Sequence, residues 1–355
     1  IPSIRADKRM SVIWQPMGVI GVITAWNFPA YNPARAWAAA LAAGSTVVAK
    51  PSENTPLAGM HMAKALSAAG LPPGVLNVLT GKASAIGEAM LNHPELKKIS
   101  FTGSTAVGKL LMDGASRTNT KMALEMGGNA PVIIFEDADV DALAKVASTA
   151  RFRNNGQVCI APQRFYIHEK IFDAFAESVS KYVSQLKVGN GFEEGVQIGP
   201  LITQKQRDSV IQLMQQTKAE EATILAGGGV PAHLSKGYFF QPAVVSNLTQ
   251  DSVLAKQEIF GPILPLFSFS HYDEAIAKAN DTEYGLAAYL FTNNISRAVR
   301  ASEALEFGMV GINEWAPHGT EAPFGGWKQS GIGHESGSEG LLEYMEKKLI
   351  SIGGI

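Results

Sequence analysis

The chain has 355 residues, 46% of them hydrophobic and 17% charged, which is enough apolar content to bury the cores of two soluble domains. Lys+Arg 30 against Asp+Glu 32 leaves a net charge of −2 with no basic block, which argues against nucleic acid or an anionic membrane as a partner. A single cysteine fits a reducing compartment such as the cytoplasm, and the longest apolar run, over 36–49, is broken at Gly44 and Ser45 and is too short to span a bilayer.

The chain begins without a methionine, in what reads as the middle of a domain. Residues 10–14 read as a strand, followed by a turn at Pro16-Met17-Gly18. The β-branched run 18–24 predicts a buried parallel strand, ended by Trp26-Asn27-Phe28-Pro29. An alanine-rich helix over 33–43 stops at Gly44, and strand 46–49 and helix 55–69 follow, the helix closed by Gly70. Strand 75–79, helix 83–91, strand 98–101, helix 105–115 and strand 121–125 lead to Gly127-Gly128. Strands alternating with helices at this spacing imply a parallel sheet covered on both faces.

After the apolar run 131–135 the pattern restarts, with helix 140–153, strand 164–167, and long helices over 171–186 and 203–219. Gly227-Gly228-Gly229 marks a break, and strands are expected at 238–245, 261–267, 287–291 and 309–312, with helices near 273–279 and 296–305. That is a second α/β unit. A final strand, 347–352, has no later helix to cover it and is a candidate for pairing with another subunit. There is no internal repeat and no low-complexity tract.

Cys159 stands in Arg151-Phe152-Arg153-Asn154-Asn155-Gly156-Gln157-Val158-Cys159. A lone thiol is either an apolar filler or a chemical group, and the polar, turn-forming residues before it suit a loop that presents a side chain. Phe101-Thr102-Gly103-Ser104-Thr105-Ala106-Val107-Gly108 reads as strand, glycine turn and helix start, where backbone N–H groups favour a phosphate or simply close a tight turn. It is not the G-x-G-x-x-G fingerprint. Lys50-Pro51-Ser52-Glu53 follows a parallel strand directly, where a lysine and an acid suit ribose hydroxyls or form a solvated pair. Asn27 lies just past a strand end, as an oxyanion donor or a turn residue. Glu125 ends an apolar strand, as a desolvated base or a capping acid.

Together these stretches resemble the aldehyde dehydrogenase superfamily, from about residue 10 to the end. The family's W-N-F-P, K-P-S-E-x-T-P, F-T-G-S-T-x-x-G, L-E-x-G-G-x-x-P, G-Q-x-C, E-I-F-G-P and P-F-G-G-x-K-x-S-G blocks stand here in family order, at 26–29, 50–56, 101–108, 124–131, 156–159, 258–262 and 323–331. The resemblance implies Cys159 as nucleophile, Glu125 as general base, and Asn27 as oxyanion donor beside the Cys159 N–H. It implies cofactor contacts at Thr24, Trp26, Lys50, Ser52, Glu53, Gly103, Ser104, Gly127, Glu258 and Phe260, with Lys50 and Glu53 at the adenosine ribose, Ser104 at the pyrophosphate and Glu258 at the nicotinamide ribose. No residue is assigned to a metal. The implied reaction is aldehyde to acid through a cysteine thiohemiacetal and thioester. Glu53 suits NAD, since a carboxylate repels a 2′-phosphate, with NADP as the alternative.

The implied architecture is α/β throughout: a Rossmann-like parallel-sheet cofactor domain over 17–127, a catalytic domain over 128–327, and a small β oligomerisation element from 1–16 and 328–355. The resemblance implies a homodimer or homotetramer. Members of the family carry a sizeable N-terminal portion before the strand at residue 10, so over the residues given the cofactor domain is expected to be incomplete. Arg35 and Arg153 lie near the proposed catalytic groups, where two guanidinium groups can hold a carboxylate. They match the substrate-carboxylate arginines of succinate semialdehyde dehydrogenases, and the Gly325-Gly326-Trp327-Lys328-Gln329-Ser330-Gly331 stretch and the 352–355 end are also similar to that branch. Three departures stand out: Ala161 where relatives carry a second cysteine, Trp315-Ala316-Pro317-His318-Gly319-Thr320 at the expected substrate mouth, and His334 for a usual arginine. Other readings are a broad-specificity aldehyde dehydrogenase, an inactive structural or binding paralogue, and a cysteine esterase.

Overall fold

The computed structural model describes residues 1–2 and 4–354; Ile355, the last residue of the 352–355 end, lies outside the described residues. The chain divides into two units, Ile1–Met126 with His318–Gly325 and Gly331–Ile355, and Gly127–Pro317 with Gly326–Ser330.

The first unit starts with β1 (Lys8–Pro16) and β2 (Val19–Ile23), then α1 (Tyr31–Ala42), β3 (Thr46–Lys50), α2 (Pro56–Ala68) and β4 (Leu76–Val78). It continues through α3 (Ala83–Asn92), β5 (Leu96–Thr102), α4 (Thr105–Ser116) and β6 (Lys121–Glu125).

The second unit runs through β7 (Ala130–Ile134), α5 (Val140–Ala150), β8 (Pro162–His168), α6 (Phe172–Ser184), α7 (Gln204–Ala219), β9 (Thr223–Ala226) and β10 (Ala243–Ser246). There follow α8 (Val253–Lys256), β11 (Ile263–Phe269), α9 (Tyr272–Asn280), β12 (Tyr284–Gly285), β13 (Ala287–Phe291), α10 (Ile295–Ala304), β14 (Met309–Ile312) and β15 (Trp327–Lys328). The chain then returns to the first unit with β16 (Gly331–Ile332), α11 (Gly337–Leu342) and β17 (Met345–Gly353).

In the first unit the sheet order is β16-β6-β5-β2-β3-β4, parallel except for the edge strand β16. Its apolar runs are buried on both faces because alternate residues feed different cores. Ile20, Val22, Val47 and Ala49 pack with Trp37 and Ala40 of α1, while Ile99, Phe101 and Leu124 pack with Met90 of α3 and Leu111 of α4. From β2 the chain steps through β3 to β4 on one side, then crosses back to β5 and β6 on the other. The order therefore reverses between β2 and β5, where such sheets bind ligands at their carboxyl ends. β1 pairs antiparallel with β17 over nine registered positions, from Lys8 opposite Gly353 to Pro16 opposite Met345.

The second unit holds a seven-stranded sheet, β14-β13-β7-β8-β11-β10-β9, with only β9 antiparallel. Helix starts follow the sequence: Asp139, Thr203 and Asn294 each accept a backbone N–H of the first turn of α5, α7 and α10.

Two sequence expectations shift. The strand expected over 238–245 is confined to Ala243–Ser246, because Pro242 has no N–H to donate and Phe239 and Phe240 turn into the core instead. The helix expected over 140–153 ends at Ala150, since Asn154, Asn155 and Gly156 all adopt left-handed φ, at 47°, 60° and 72°. Strand β9 and the short helices α8 and α11 were not legible as elements.

Candidate active site

In the first unit, the candidate residues gather at the carboxyl ends of β2, β3, β5 and β6. Thr24 is buried and its N–H donates to Lys50 O at 3.2 Å, tying the exits of β2 and β3 together. Trp26 and Asn27 follow, half-buried. Asn32 Nδ2 donates to Asn27 Oδ1 at 3.3 Å, which commits the Asn27 carbonyl as an acceptor and makes its NH₂ the donor end. The Lys50 ammonium is buried and lies 3.6 Å from the Glu53 carboxylate, which itself accepts the Ala83 N–H at the start of α3 at 2.6 Å. Ser52 accepts the Asn54 N–H at 3.3 Å and shapes the turn between Lys50 and Glu53.

At the exit of β5, Gly103 donates to Glu125 O at 3.0 Å, and a side chain there would strike the Phe101 ring. Ser104 caps α4, its Oγ accepting the Val107 N–H at 3.4 Å, so the first turn of that helix opens beside the β2/β5 reversal. Glu125 is the last residue of β6, 4% exposed and flanked by Thr102 of β5 and Gly331 of β16. A cationic amine, two carboxylates, hydroxyls and a helix N-terminus at one edge of a parallel sheet fit the ribose and phosphates of a dinucleotide.

Arg35, on α1, is held within this unit. Its guanidinium forms a 2.8 Å ion pair with Glu335, with both side chains less than a tenth exposed, and lies between the rings of Tyr31 and Phe324, 4.9 and 4.2 Å from their centroids. Burial pushes the Glu335 carboxyl up and Arg35 pulls it down. His334 donates its backbone N–H to Glu343 at 3.3 Å.

In the second unit, Cys159 is half-buried at the end of the left-handed turn. That turn is fixed by its own amides: Gln157 Nε2 donates to Asn154 O at 3.0 Å, Asn155 Nδ2 to Gly199 O at 2.9 Å, and Ile202 N to Gln157 Oε1 at 3.0 Å. On the far side of the cysteine, the Tyr289 hydroxyl donates to Ile160 O at 2.6 Å, and Trp315 packs against Phe165, Tyr289 and Phe291. Arg153 is exposed and borders a cavity of about 490 Å³ walled by Phe152, Leu186 and Ile198.

Gly127 and Gly128 join two candidate groups of this unit. The Gly128 N–H donates to Glu258 Oε1 at 3.0 Å, and a Cβ on Gly127 would come within 2.6 Å of Glu258 Oε2. A Cβ on Gly128 would collide with the carbonyl oxygen of Cys159. The glycine pair thus seats the cysteine backbone on one side and the Glu258 carboxylate on the other. The Glu258 carboxyl is pushed up to about 7, chiefly by loss of solvent, against the Gly128 N–H and the Arg151 charge, which lower it. Phe260 takes φ 44° and its carbonyl accepts Gln206 Nε2 at 2.8 Å.

Several supporting residues escaped sequence reasoning. Arg151, Gln163 and Arg164 are buried and hydrogen-bonded to residues far along the chain. Glu335, partner to Arg35, is likewise identifiable only from the fold. No group of three or more His, Cys, Asp or Glu among the described residues could hold a metal, and none of their helices is long and apolar enough to cross a membrane.

The model of a family described as "Aldehyde dehydrogenase family" matches residues 1–350. A mitochondrial succinate-semialdehyde dehydrogenase of Oryza sativa subsp. japonica is 46% identical over 355 residues, covering 100% of this chain and 67% of that protein. The protein named succinate-semialdehyde dehydrogenase [NADP(+)] GabD of Escherichia coli is 44% identical over 353 residues, covering 99% and 73%. The solved structure of succinate-semialdehyde dehydrogenase from Burkholderia pseudomallei superposes with TM-score 0.97 at 45% identity, covering 99% of this chain and 73% of that one. The chain thus spans about two thirds to three quarters of the length of these relatives.

Proposed function

The chain belongs to the aldehyde dehydrogenase family, and on that footing we propose that it oxidises a carboxylate-bearing semialdehyde, succinate semialdehyde first, to the acid with NAD. The observation that carries this reading is the glycine pair, which holds the Cys159 backbone and the Glu258 carboxylate against one short stretch of chain.

The Cys159 thiolate attacks the aldehyde carbon and forms a thiohemiacetal whose oxyanion accepts the amide N–H of Asn27. A nicotinamide dinucleotide, when bound, supplies the hydride acceptor that makes this an oxidation. Lys50 and Glu53 hold its adenosine ribose, Ser104 and the start of α4 its phosphates, and Glu258 its other ribose, with Thr24, Trp26, Ser52, Gly103, Gly127 and Phe260 shaping the contacts. Glu125, buried at its strand end, takes a proton from the water that hydrolyses the Cys159 thioester. The Glu53 carboxylate, already near Lys50, disfavours a 2′-phosphate. The ratio of kcat/KM for NAD and NADP tests this, and a strong NADP preference overturns it.

Arg153, exposed beside an apolar-walled cavity, and Arg35 recognise the substrate carboxylate in this reading. A broad-specificity enzyme is the second reading, and the buried Arg35–Glu335 pair favours it, because Arg35 already has a counter-ion. Replacing both arginines separates the two. KM rising steeply for succinate semialdehyde and little for butanal supports the semialdehyde reading; equal effects on both remove it. The single thiol suits the cytoplasm, and the β1–β17 ribbon, exposed along most of its length, suits self-association into a homodimer or homotetramer.

A further inference from the structure

The loop 257–263 carries Glu258 and Phe260 and is held at successive points by side chains and one backbone N–H from other parts of its unit. Gln163 of β8 donates to Gln257 O at 2.8 Å and accepts the Ile259 N–H at 2.9 Å. Gln206 of α7 holds Phe260 O, and the Gly128 N–H holds the Glu258 carboxylate. The carboxyl end of the loop falls to Arg151, the residue that closes α5. Its Nε donates to Ile263 O at 2.7 Å and its Nη2 to Gly261 O at 2.7 Å, from a side chain that is 0% exposed.

The same guanidinium touches the turn that leads to Cys159. Gly156, at φ 72°, abuts the loop so closely that a Cβ there would strike the Gly261 carbonyl and come within 3.0 Å of Arg151 Nη1. One buried cation therefore sits where the cysteine turn and the Glu258 loop meet. Both segments contain left-handed non-glycine residues, Asn154, Asn155 and Phe260, which persist only when their surroundings over-determine them.

We propose that Arg151 is a positioning residue that ties the Cys159 turn to the Glu258 loop and so sets the orientation of the carboxylate offered to the cofactor ribose. The proposal rests on the reading that Glu258 contacts the cofactor. Two ionisable groups face Glu258: Arg151, whose charge favours the carboxylate, and the phenol of Tyr284 on β12, which is pushed up to about 12 by burial first and by Glu258 next. Removing the Arg151 charge raises the pH at which Glu258 ionises, and with it the pH below which a ribose hydroxyl meets a neutral carboxyl group in place of the stronger, charged acceptor.

The test uses the full chain with Arg151→Met, Arg151→Lys and Glu258→Gln. NAD binding is read by tryptophan quenching between about pH 5.5 and 8.5, and amide hydrogen exchange is read without cofactor. Arg151→Met is expected to weaken NAD binding about tenfold at the alkaline end, to move the binding midpoint to higher pH, and to speed exchange in both 153–158 and 257–263. Arg151→Lys is expected to keep the wild-type midpoint and recover part of the affinity. Faster exchange spread evenly over the unit, with midpoint and affinity unchanged, overturns the proposal. Should Arg151→Met fail to fold, Arg151→Lys decides: weakened affinity with local exchange supports the tie, and wild-type values of both refute it. If Glu258→Gln weakens NAD binding while Arg151→Met leaves it alone, only the tie fails; if Glu258→Gln has no effect, the reading beneath it fails.

Discussion

Substituting Gly128 by alanine is the sharpest test of how the cysteine is seated. The residue does not need glycine for its φ, so the effect is steric. An added Cβ would lie well inside 3.0 Å of the Cys159 carbonyl oxygen, 3.3 Å from Leu286 Cβ and 3.5 Å from the Cys159 carbonyl carbon. The nearest of these is backbone and cannot rotate away, so the Cys159 segment or the Gly127-Gly128 stretch must move by about half an ångström, and an overpacked contact of this kind costs about 1–3 kcal/mol. The same shift displaces a reacting sulfur, and misplacement on the ångström scale costs roughly 10²-fold in rate. Chemical denaturation gives the stability change, NAD reduction with succinate semialdehyde gives kcat, and the rate of Cys159 alkylation by iodoacetamide reports the thiol's setting without turnover. A Gly128→Ala protein with wild-type stability, alkylation rate and kcat would refute the reasoning, since it would mean the close approach has no chemical consequence.

Three further outcomes are expected. Glu125→Gln retains the first half-reaction but not hydrolysis, so rapid mixing should show about one equivalent of reduced nicotinamide per chain followed by turnover slowed roughly 10²–10³-fold; a normal steady state would remove Glu125 as the base. Glu335→Ala leaves Arg35 without its buried carboxylate and is expected to destabilise the fold by about 3 kcal/mol in denaturant titration, whereas a change within about 0.5 kcal/mol would mean the pair contributes little. Glu258 is raised to about 7 in the fold from its ordinary 4.5, so between those values the folded chain holds a proton that the unfolded chain has released, and stability falls as pH rises through that window. Glu258→Gln removes this term, and its stability relative to wild type should grow from about pH 5 to 8; a constant offset would show that Glu258 does not titrate there.

Much of the fold was legible because buried parallel strands are continuous apolar runs. Strands 121–125, 287–291 and 309–312 fall at the bounds read from the sequence, and apart from the one expected over 238–245 the others differ by a residue or two at an end. What escaped had no apolar signature: β9 is an exposed edge strand, and α11 contains two glycines within six residues. Cys159 drew attention through Asn154, Asn155 and Gly156, whose turn-forming character corresponds to a left-handed run in the structure. Burial of charge was not legible. Arg151 and Arg153 look alike in the sequence, yet one is sealed against carbonyls 110 and 112 residues away and the other faces solvent. Arg35 read as a substrate anchor, because its carboxylate partner lies far along the chain at Glu335.

The ribbon formed by β1 and β17 closes over a separation of roughly 330 residues. At translation rates of about 5–20 residues per second, β1 waits roughly 15–65 s on the ribosome side of synthesis before its own partner strand exists. During that interval its row of backbone donors and acceptors is open to the β17 segment of any neighbouring chain whose synthesis has already passed it. Nascent chains crowded on one message would therefore be the ones most prone to trade this strand.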